Sequence, residues 1–271
     1  MGLVLLCIIW LITFLSSYYF VAVKWWPTAI SASAPYIDHQ FRITFIAMGV
    51  VFLAAQLALG FFVWRYRDQG PNSRVVYSHG NTRLEMVWTA LTAILFIGLN
   101  LVGSPIWAAE RFTPAAQGAL PIEVTGLQFA WYFRYPGADG TFAKTKPQLE
   151  DASSGGDAAL GIDPSDPSAK DDVVTGTLVV PVNRELDLTL RAQDVIHSFF
   201  VPALRLKQDA MPGRTIKGWF EATQPGTYEI ACAELCGFGH YGMHGVLTVH
   251  TAADYQRWVQ STWGAAKAAA K

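Results

Sequence analysis

The chain has 271 residues, of which 52% are hydrophobic and 15% charged, with a mean hydropathy of +0.25. An average soluble protein carries about a quarter charged residues, so this composition excludes a disordered chain and an ordinary cytosolic enzyme. A net charge of −1 lacks the basic excess that phosphate neutralisation needs, and three cysteines cannot build a disulfide scaffold, so nucleic acid is excluded as a partner and a stapled mini-domain as a fold.

Residues 2–23 contain no Asp, Glu, Lys, Arg or His, and the same holds for 43–64 and 86–109. Each run is long enough to cross a ~30 Å hydrocarbon core at about 1.5 Å per residue. A charge at mid-helix costs roughly 2.5–3.5 kcal/mol, so three empty windows predict three transmembrane helices in a membrane domain spanning 1–109. Trp25, Trp26, Trp64 and Trp107 stand at the ends of the runs, where indole favours the interface between lipid and water.

Between the second and third runs, residues 65–85 carry Arg65, Arg67, Arg74 and Arg83 against Asp68 and Glu85. That excess assigns the segment to the cytoplasm. The N-terminus is then cytoplasmic and everything after residue 109 lies outside, in a bacterial-type inner membrane with a periplasmic C-terminal domain. The first connection, 24–42, sets Lys24 and Arg42 against Asp38 and decides little. Ala32-Ser33-Ala34 has the spacing of a signal cleavage site, but no basic residue precedes the first run and its length exceeds a signal core. An uncleaved helix is the expectation, with Cys7 an apolar side chain rather than a ligand or a lipid anchor.

From 110 to 271 the net charge changes from +3 to −4 and the pattern becomes β. Leu186, Leu188 and Leu190 alternate with polar residues, the mark of a half-buried strand. Val173–Val180, Thr215–Glu221, Tyr228–Ala231 and Val246–His250 read as further strands, punctuated by Pro212-Gly213 and Pro225-Gly226. Several short strands suggest a sandwich or barrel. A helix is expected over 252–263, with a frayed tail over 265–271. Residues 139–172 interrupt the pattern with eight acids and three lysines. They read as a solvated surface loop or as a negative docking surface for a cationic partner.

The chemistry is concentrated in residues 232–243, CAELCGFGHYGM. Thiolate and thioether are soft donors, and imidazole also suits copper. Cys232 and Cys236 can bridge two ions, and His240 can serve one of them. The second imidazole has to come from elsewhere, and His197 in the apolar DVIHSFF stretch is the best placed; His244 and His250 are set aside as ligands. A disulfide between the two cysteines and a zinc site are the competing readings, and Met243 with an upstream His197 weighs against both.

These residues resemble subunit II of haem-copper cytochrome c oxidases, over about residues 80–250. The resemblance is carried by LEMVWT (84–89), GLQFAWY (126–132), DVIHSFFVPALRLKQDAMPGR (194–214) and the loop itself. It implies an all-β, cupredoxin-like Greek-key barrel after the membrane helices, holding a binuclear CuA centre. By the resemblance, Cys232 and Cys236 bridge two coppers. His197 and Met243 complete one ion; His240 and the backbone carbonyl of Glu234 complete the other. The Glu234 carboxylate would also face a Mg2+ ion at the boundary with subunit I. Glu85 would be a proton-uptake carboxylate, competing with the plain reading of a helix-start acid favoured by the macrodipole. Asp209–Arg214 resembles a segment packed near the haem side of that boundary, or is a simple Pro-Gly turn.

The implied activity is electron transfer from a c-type cytochrome, through copper, to haem in subunit I of a proton-pumping oxidase that reduces oxygen to water. The implied partners are subunit I, other oxidase subunits, the cytochrome and membrane lipid. The chain departs from the family in three ways. It has three membrane helices where two are usual. It has Phe129-Ala130-Trp131 where Trp-Tyr-Trp is common, so Phe129 stands where electrons usually arrive and Trp131 beneath the copper. Thr92 replaces a proline of the last helix. A quinol oxidase subunit, a nitrous oxide reductase and a copper-delivery module are the alternatives; the intact Cys-Cys-His-Met set opposes the first, and the membrane anchor and chain length oppose the second.

Overall fold

A computed structural model describes residues 1–70, 77 and 79–269, the last five of them by backbone alone. Arg74 of the basic connection and the final two residues of the tail fall outside the described residues. The chain divides into two compact units, Met1–Trp26 with Asp38–Ile106, and Pro27–Ile37 with Trp107–Lys271.

Among the described residues, three helices account for the first unit: α1 (Gly2–Ala22), α2 (Ala34–Arg65) and α3 (Thr82–Phe112). All three are long and apolar enough to cross a membrane. The empty windows lie inside them, but α2 and α3 run further, because a helix need not end where the hydrocarbon does. Asn81 opens α3 with its side-chain oxygen accepting the backbone N–H groups of Arg83 and Leu84, both at 3.1 Å. Glu85 sits in that first turn, where a carboxylate favours the helix dipole. Along α1 and α2, Trp10 seats on Gly60: a Cβ there would fall 2.5 Å from the indole nitrogen.

The second unit is built from ten strands: β1 (Leu120–Leu127), β2 (Ala130–Tyr135), β3 (Val173–Thr175), β4 (Thr177–Pro181), β5 (Glu185–Ala192), β6 (His197–Val201), β7 (Leu206–Ala210), β8 (Ile216–Glu221), β9 (Gly226–Cys232) and β10 (His244–His250). One sheet has the order β3-β2-β1-β5-β8, the other β4-β10-β9-β6-β7. The β1–β5 and β10–β4 pairs are parallel and the rest antiparallel. Leu186, Leu188 and Leu190 of β5 point inward as their alternation predicts, against Val124, Phe133, Phe199 and Leu247. The result is the expected cupredoxin-like β domain following three membrane-type helices.

Three expectations need correction. The run Val173–Val180 is not one strand. Gly176 breaks it, and β3 joins β2 in one sheet while β4 joins β10 in the other. A β-branched run reports extended backbone but not a change of sheet. The acidic insert is not simply a solvated loop. It contains a short helix, α4 (Gly156–Ala159), and a small apolar core of Ala143, Leu160 and Ile162. The last helix, α5 (Ala252–Ala269), runs beyond its expected end at 263, and Trp258 and Trp263 within it pack on Tyr135 with ring centroids 5.2 and 6.2 Å away.

The connection before α2 is structured too. Ile30 is fully buried in the β domain; its N–H donates to Ala203 O at 2.9 Å, and its carbonyl accepts from Thr223 N at 2.7 Å. Ser31 bridges Ala222 and donates from Oγ to Leu204 O at 2.8 Å.

Candidate metal centre

The loop of soft donors is the connection between two hairpin strands. β9 ends on Cys232 and β10 begins on His244, and the Cys232 N–H donates to Met243 O at 3.1 Å, closing the neck. Inside the loop, His240 N–H donates to Gly237 O at 3.1 Å, and Met243 N–H to His240 O at 3.2 Å, coiling the chain so that Cys236, His240 and Met243 return toward Cys232. Gly237 has φ +132°, a conformation that favours glycine, and a Cβ there would fall 2.7 Å from Gln128 Nε2 and displace that side chain.

His197 arrives from the adjacent strand. β6 pairs with β9 through Phe199 opposite Cys232, and this register sets His197 beside the loop neck. Its Nδ1 lies 3.9 Å from Cys232 Sγ. Cys232 Sγ and Cys236 Sγ are 3.8 Å apart and both thiols are free. Cys236 Sγ lies 3.6 Å from His240 Nδ1 and 3.8 Å from Met243 Sδ. The Glu234 carbonyl accepts from Cys232 Sγ at 3.2 Å. His197, Cys232, Cys236 and Met243 are all buried, His240 is half-buried and the Glu234 side chain is exposed.

Soft sulfur and imidazole atoms at van der Waals range, with little else to satisfy them, form a cage that suits a soft or borderline ion. Among the described residues, His197, Cys232 and Cys236 are the one group of three or more His, Cys, Asp or Glu ligands close enough to share an ion, and Glu234 is not in it. Burial first, and the neighbouring Cys232 thiol second, push the Cys236 thiol up to about 11. A metal ion therefore has to displace protons to enter.

The side chains around the cage hold its ligands. Asp194 Oδ1 lies 2.8 Å from His197 Nε2, which leaves Nδ1 turned toward sulfur. Asp194 also accepts from the backbone N–H groups of Gln128 and Val195, each at 2.7 Å. Its desolvation alone would raise the carboxyl; those three partners outweigh it and hold Asp194 below the ordinary carboxylate range. The sequence reading passed over this role, although an acid three residues before a candidate imidazole is a usable signal. Gln128 was also missed: its side-chain amide donates to the Cys236 carbonyl from the β1–β2 turn.

The other candidates fall in two places. Trp131 is buried against the cage, its ring 5.9 Å from that of His197 and 5.5 Å from Phe199. Phe129 is 39% exposed on the β1–β2 turn, and its ring occupies the space a Cβ on Gly239 would need. Glu85 is in the helical unit, not in this cluster. His244 is engaged elsewhere, 2.9 Å from Glu229 and 2.8 Å from Tyr241 O.

Apolar membrane-type helices followed by a cupredoxin-like domain with soft donors in one loop define a class of membrane-anchored metal-site domains. Comparison with known proteins narrows the class. Residues 120–250 match the family described as cytochrome C oxidase subunit II, periplasmic domain. The alternative cytochrome c oxidase subunit 2 of Bradyrhizobium diazoefficiens is 32% identical over 238 residues, covering 87% of this chain and 83% of that one. Cytochrome c oxidase subunit 2 of Thermostichus vulcanus is 31% identical over 284 residues, covering 86% and 76%. The crystal structure of the periplasmic domain of subunit II of cytochrome oxidase from Bradyrhizobium japonicum is 32% identical, covering 53% of this chain and 94% of that one, with a TM-score of 0.39. The chain belongs to the cytochrome c oxidase subunit II family, and so to an oxidoreductase complex with other oxidase subunits.

Proposed function

We propose that this chain is the subunit through which electrons reach a terminal oxidase. It takes single electrons from a c-type cytochrome and passes them through a binuclear CuA centre to haem in subunit I, where oxygen is reduced to water. The observation that supports this reading is the convergence of two free thiols, two imidazoles, a thioether and a backbone carbonyl where the β9–β10 loop meets the start of β6. Cys232 and Cys236 would bridge two copper ions, with His197 and Met243 on one and His240 and the Glu234 carbonyl on the other. Copper in such a pair supplies one-electron chemistry in which the charge change is shared between two ions.

This chain's own residues do the rest. Burial of four of the ligands excludes water, and Asp194 holds the His197 ring in one orientation. Trp131 packs beneath the cage on the side of the β1–β2 hairpin, and Phe129 offers an exposed aromatic face where a cytochrome would deliver its electron. Glu234, exposed beside the loop, would contribute a carboxylate oxygen to a Mg2+ ion completed by subunit I. Glu85 would take up protons at the cytoplasmic start of α3, in an inner-membrane topology with the N-terminus inside and the β domain in the periplasm. A copper-delivery module would favour ligands open to exchange, and the burial here opposes that reading.

Copper loading of the purified chain followed by electron paramagnetic resonance tests the proposal. Seven hyperfine lines are expected from a delocalised pair. Four lines would indicate isolated Cu(II) and overturn it, and a silent spectrum would point to zinc or to a disulfide.

A further inference from the structure

The helical unit carries a groove that electron transfer does not use. It opens between α1 and α2, with a volume of about 1030 Å³, near the upper end for small-ligand sites. Phe20, Val21, Phe45, Ile46, Phe52 and Leu53 supply apolar wall, and Ser16, Ser17 and Gly49 leave room between them. Gly49 faces open space, since a Cβ there would meet nothing within 4 Å. One wall is braced by an aromatic cluster, with Phe20 5.8 Å from Phe45 and Trp25 5.8 Å from the same ring.

The two ends of the groove differ. At one end stand Lys24 and Arg42, the residues that close the apolar runs 2–23 and 43–64. Both are exposed, and among the described residues neither makes an ion pair within 4.0 Å. The Asp38 carboxylate also lines this end, so the rim carries two cations against one anion. Below Lys24, from Ala22 to Ser16, the groove descends about 9 Å along α1, and from Arg42 to Leu53 about 16 Å along α2. Further along, Trp10 closes the gap by seating on Gly60, its Nε1 donating to Leu57 O at 3.3 Å. The groove is cationic at its interfacial mouth, apolar below and blocked beyond its midpoint by Trp10, about 18 Å along α1 from Ala22.

We infer that this groove is a binding site for one anionic glycerophospholipid, its phosphate held by Lys24 and Arg42 and an acyl chain lying along Gly49. A basic pocket between membrane helices favours an acidic headgroup, and a single polar end fits an amphiphile. A helix of another subunit would have to run the whole span, and the Trp10–Gly60 contact leaves it no continuous track.

The experiment uses the purified oxidase complex containing this chain, reconstituted with photoactivatable phosphatidylglycerol or phosphatidylcholine bearing a diazirine on one acyl chain. Expected is labelling of α1 and α2 peptides around Ser16 and Gly49, at least fivefold stronger with phosphatidylglycerol. Lys24→Gln combined with Arg42→Gln removes that preference, and Gly49→Phe removes the labelling itself. Should Gly49→Phe fail to assemble, the double glutamine variant decides alone. Equal labelling by the two lipids, a preference unchanged in the double variant, or cross-linking of a benzoylphenylalanine at position 49 to another subunit would each overturn the site. So would a purified subunit that begins after Ala34 and lacks α1.

Discussion

The two long strands that open the β domain serve two buried polar clusters of opposite character. Where β1 turns into β2, Gln128 and Phe129 lean on the metal loop. Further along the same pair, Glu123 lies opposite Arg134, and there the acidic insert docks. Arg134 is almost wholly buried. It donates to Glu123 at 2.9 Å, to Asp172 from Nε at 2.9 Å and to the Ala143 carbonyl at 2.6 Å. The insert cluster pairs its charges, with Glu123 also 3.3 Å from Arg191 on β5, although Asp172 Oδ1 has no hydrogen-bond partner; the loop cluster is a set of soft atoms with few partners. Burial of polar groups thus has two solutions in one domain: ion pairing of charges, which stabilises the fold, and loose contacts between soft atoms, which leave chemistry for an ion.

The comparison predicts that the two clusters fail in different ways. Cys232→Ser leaves one thiolate, which cannot hold two ions, so the two-copper spectrum is expected to vanish entirely. The metal-free variant should melt within about 2–4 °C of the parent, the shift of about 1 kcal/mol. Survival of the native spectrum would refute the bridging role. Arg134→Met should do the reverse. It strands the buried Asp172 carboxylate and leaves Glu123 with Arg191 alone, and breaking such a buried pair costs about 3–5 kcal/mol, read by chemical denaturation of the metal-free chain. The fraction that remains folded should still give the parent copper spectrum. Loss of the spectrum in step with stability would show that the clusters are coupled.

How much of this could be read beforehand follows the same division. Cys232, Cys236, His240 and Met243 stand within twelve residues because one hairpin connection carries them, so their chemistry is visible in order along the chain. His197 was recoverable from its apolar strand context. The insert misled because composition counts charges without saying where they point. Asp163 and Asp172 are buried and bonded, while Asp139, Asp151 and Asp157 are exposed. With Glu150, these exposed acids are the part of the insert that a cationic partner could meet. The strap through Ile30 was illegible for a different reason: Ser31 reaches Leu204 across 173 positions, and no local pattern encodes such a contact.

A subtler change probes how the loop cluster is held. Asp194→Asn keeps the size of the side chain but removes the anionic acceptor beside His197 Nε2. Partners of this kind tune a ligand's orientation and basicity, and their loss weakens metal binding by about 10–100-fold. Competition against a copper chelator should show that drop, with near-UV circular dichroism of the metal-free chain unchanged. Undiminished affinity would mean that packing against Trp131 and Gly126 suffices to fix the ring.

The smallest expected effect lies in the insert and depends on acid. Asp163 pairs first with Lys146 and also accepts from Ser165 Oγ at 2.7 Å and Ser165 N–H at 3.1 Å, contacts that hold its carboxyl down at about 2, against an ordinary value of 3.8. As pH falls the unfolded chain takes up this proton first, because its carboxyl titrates higher. The stabilisation is therefore complete above about 3.8 and drains away as the pH drops toward about 2. Asp163→Asn lacks the titrating group, so the advantage of the parent over this variant should be constant from pH 7 to about 4 and then shrink. Denaturation midpoints measured for both chains across that range give the answer directly. A parent advantage that persists unchanged at pH 2 would show that the Asp163 contacts are held by the fold around them rather than by the charge.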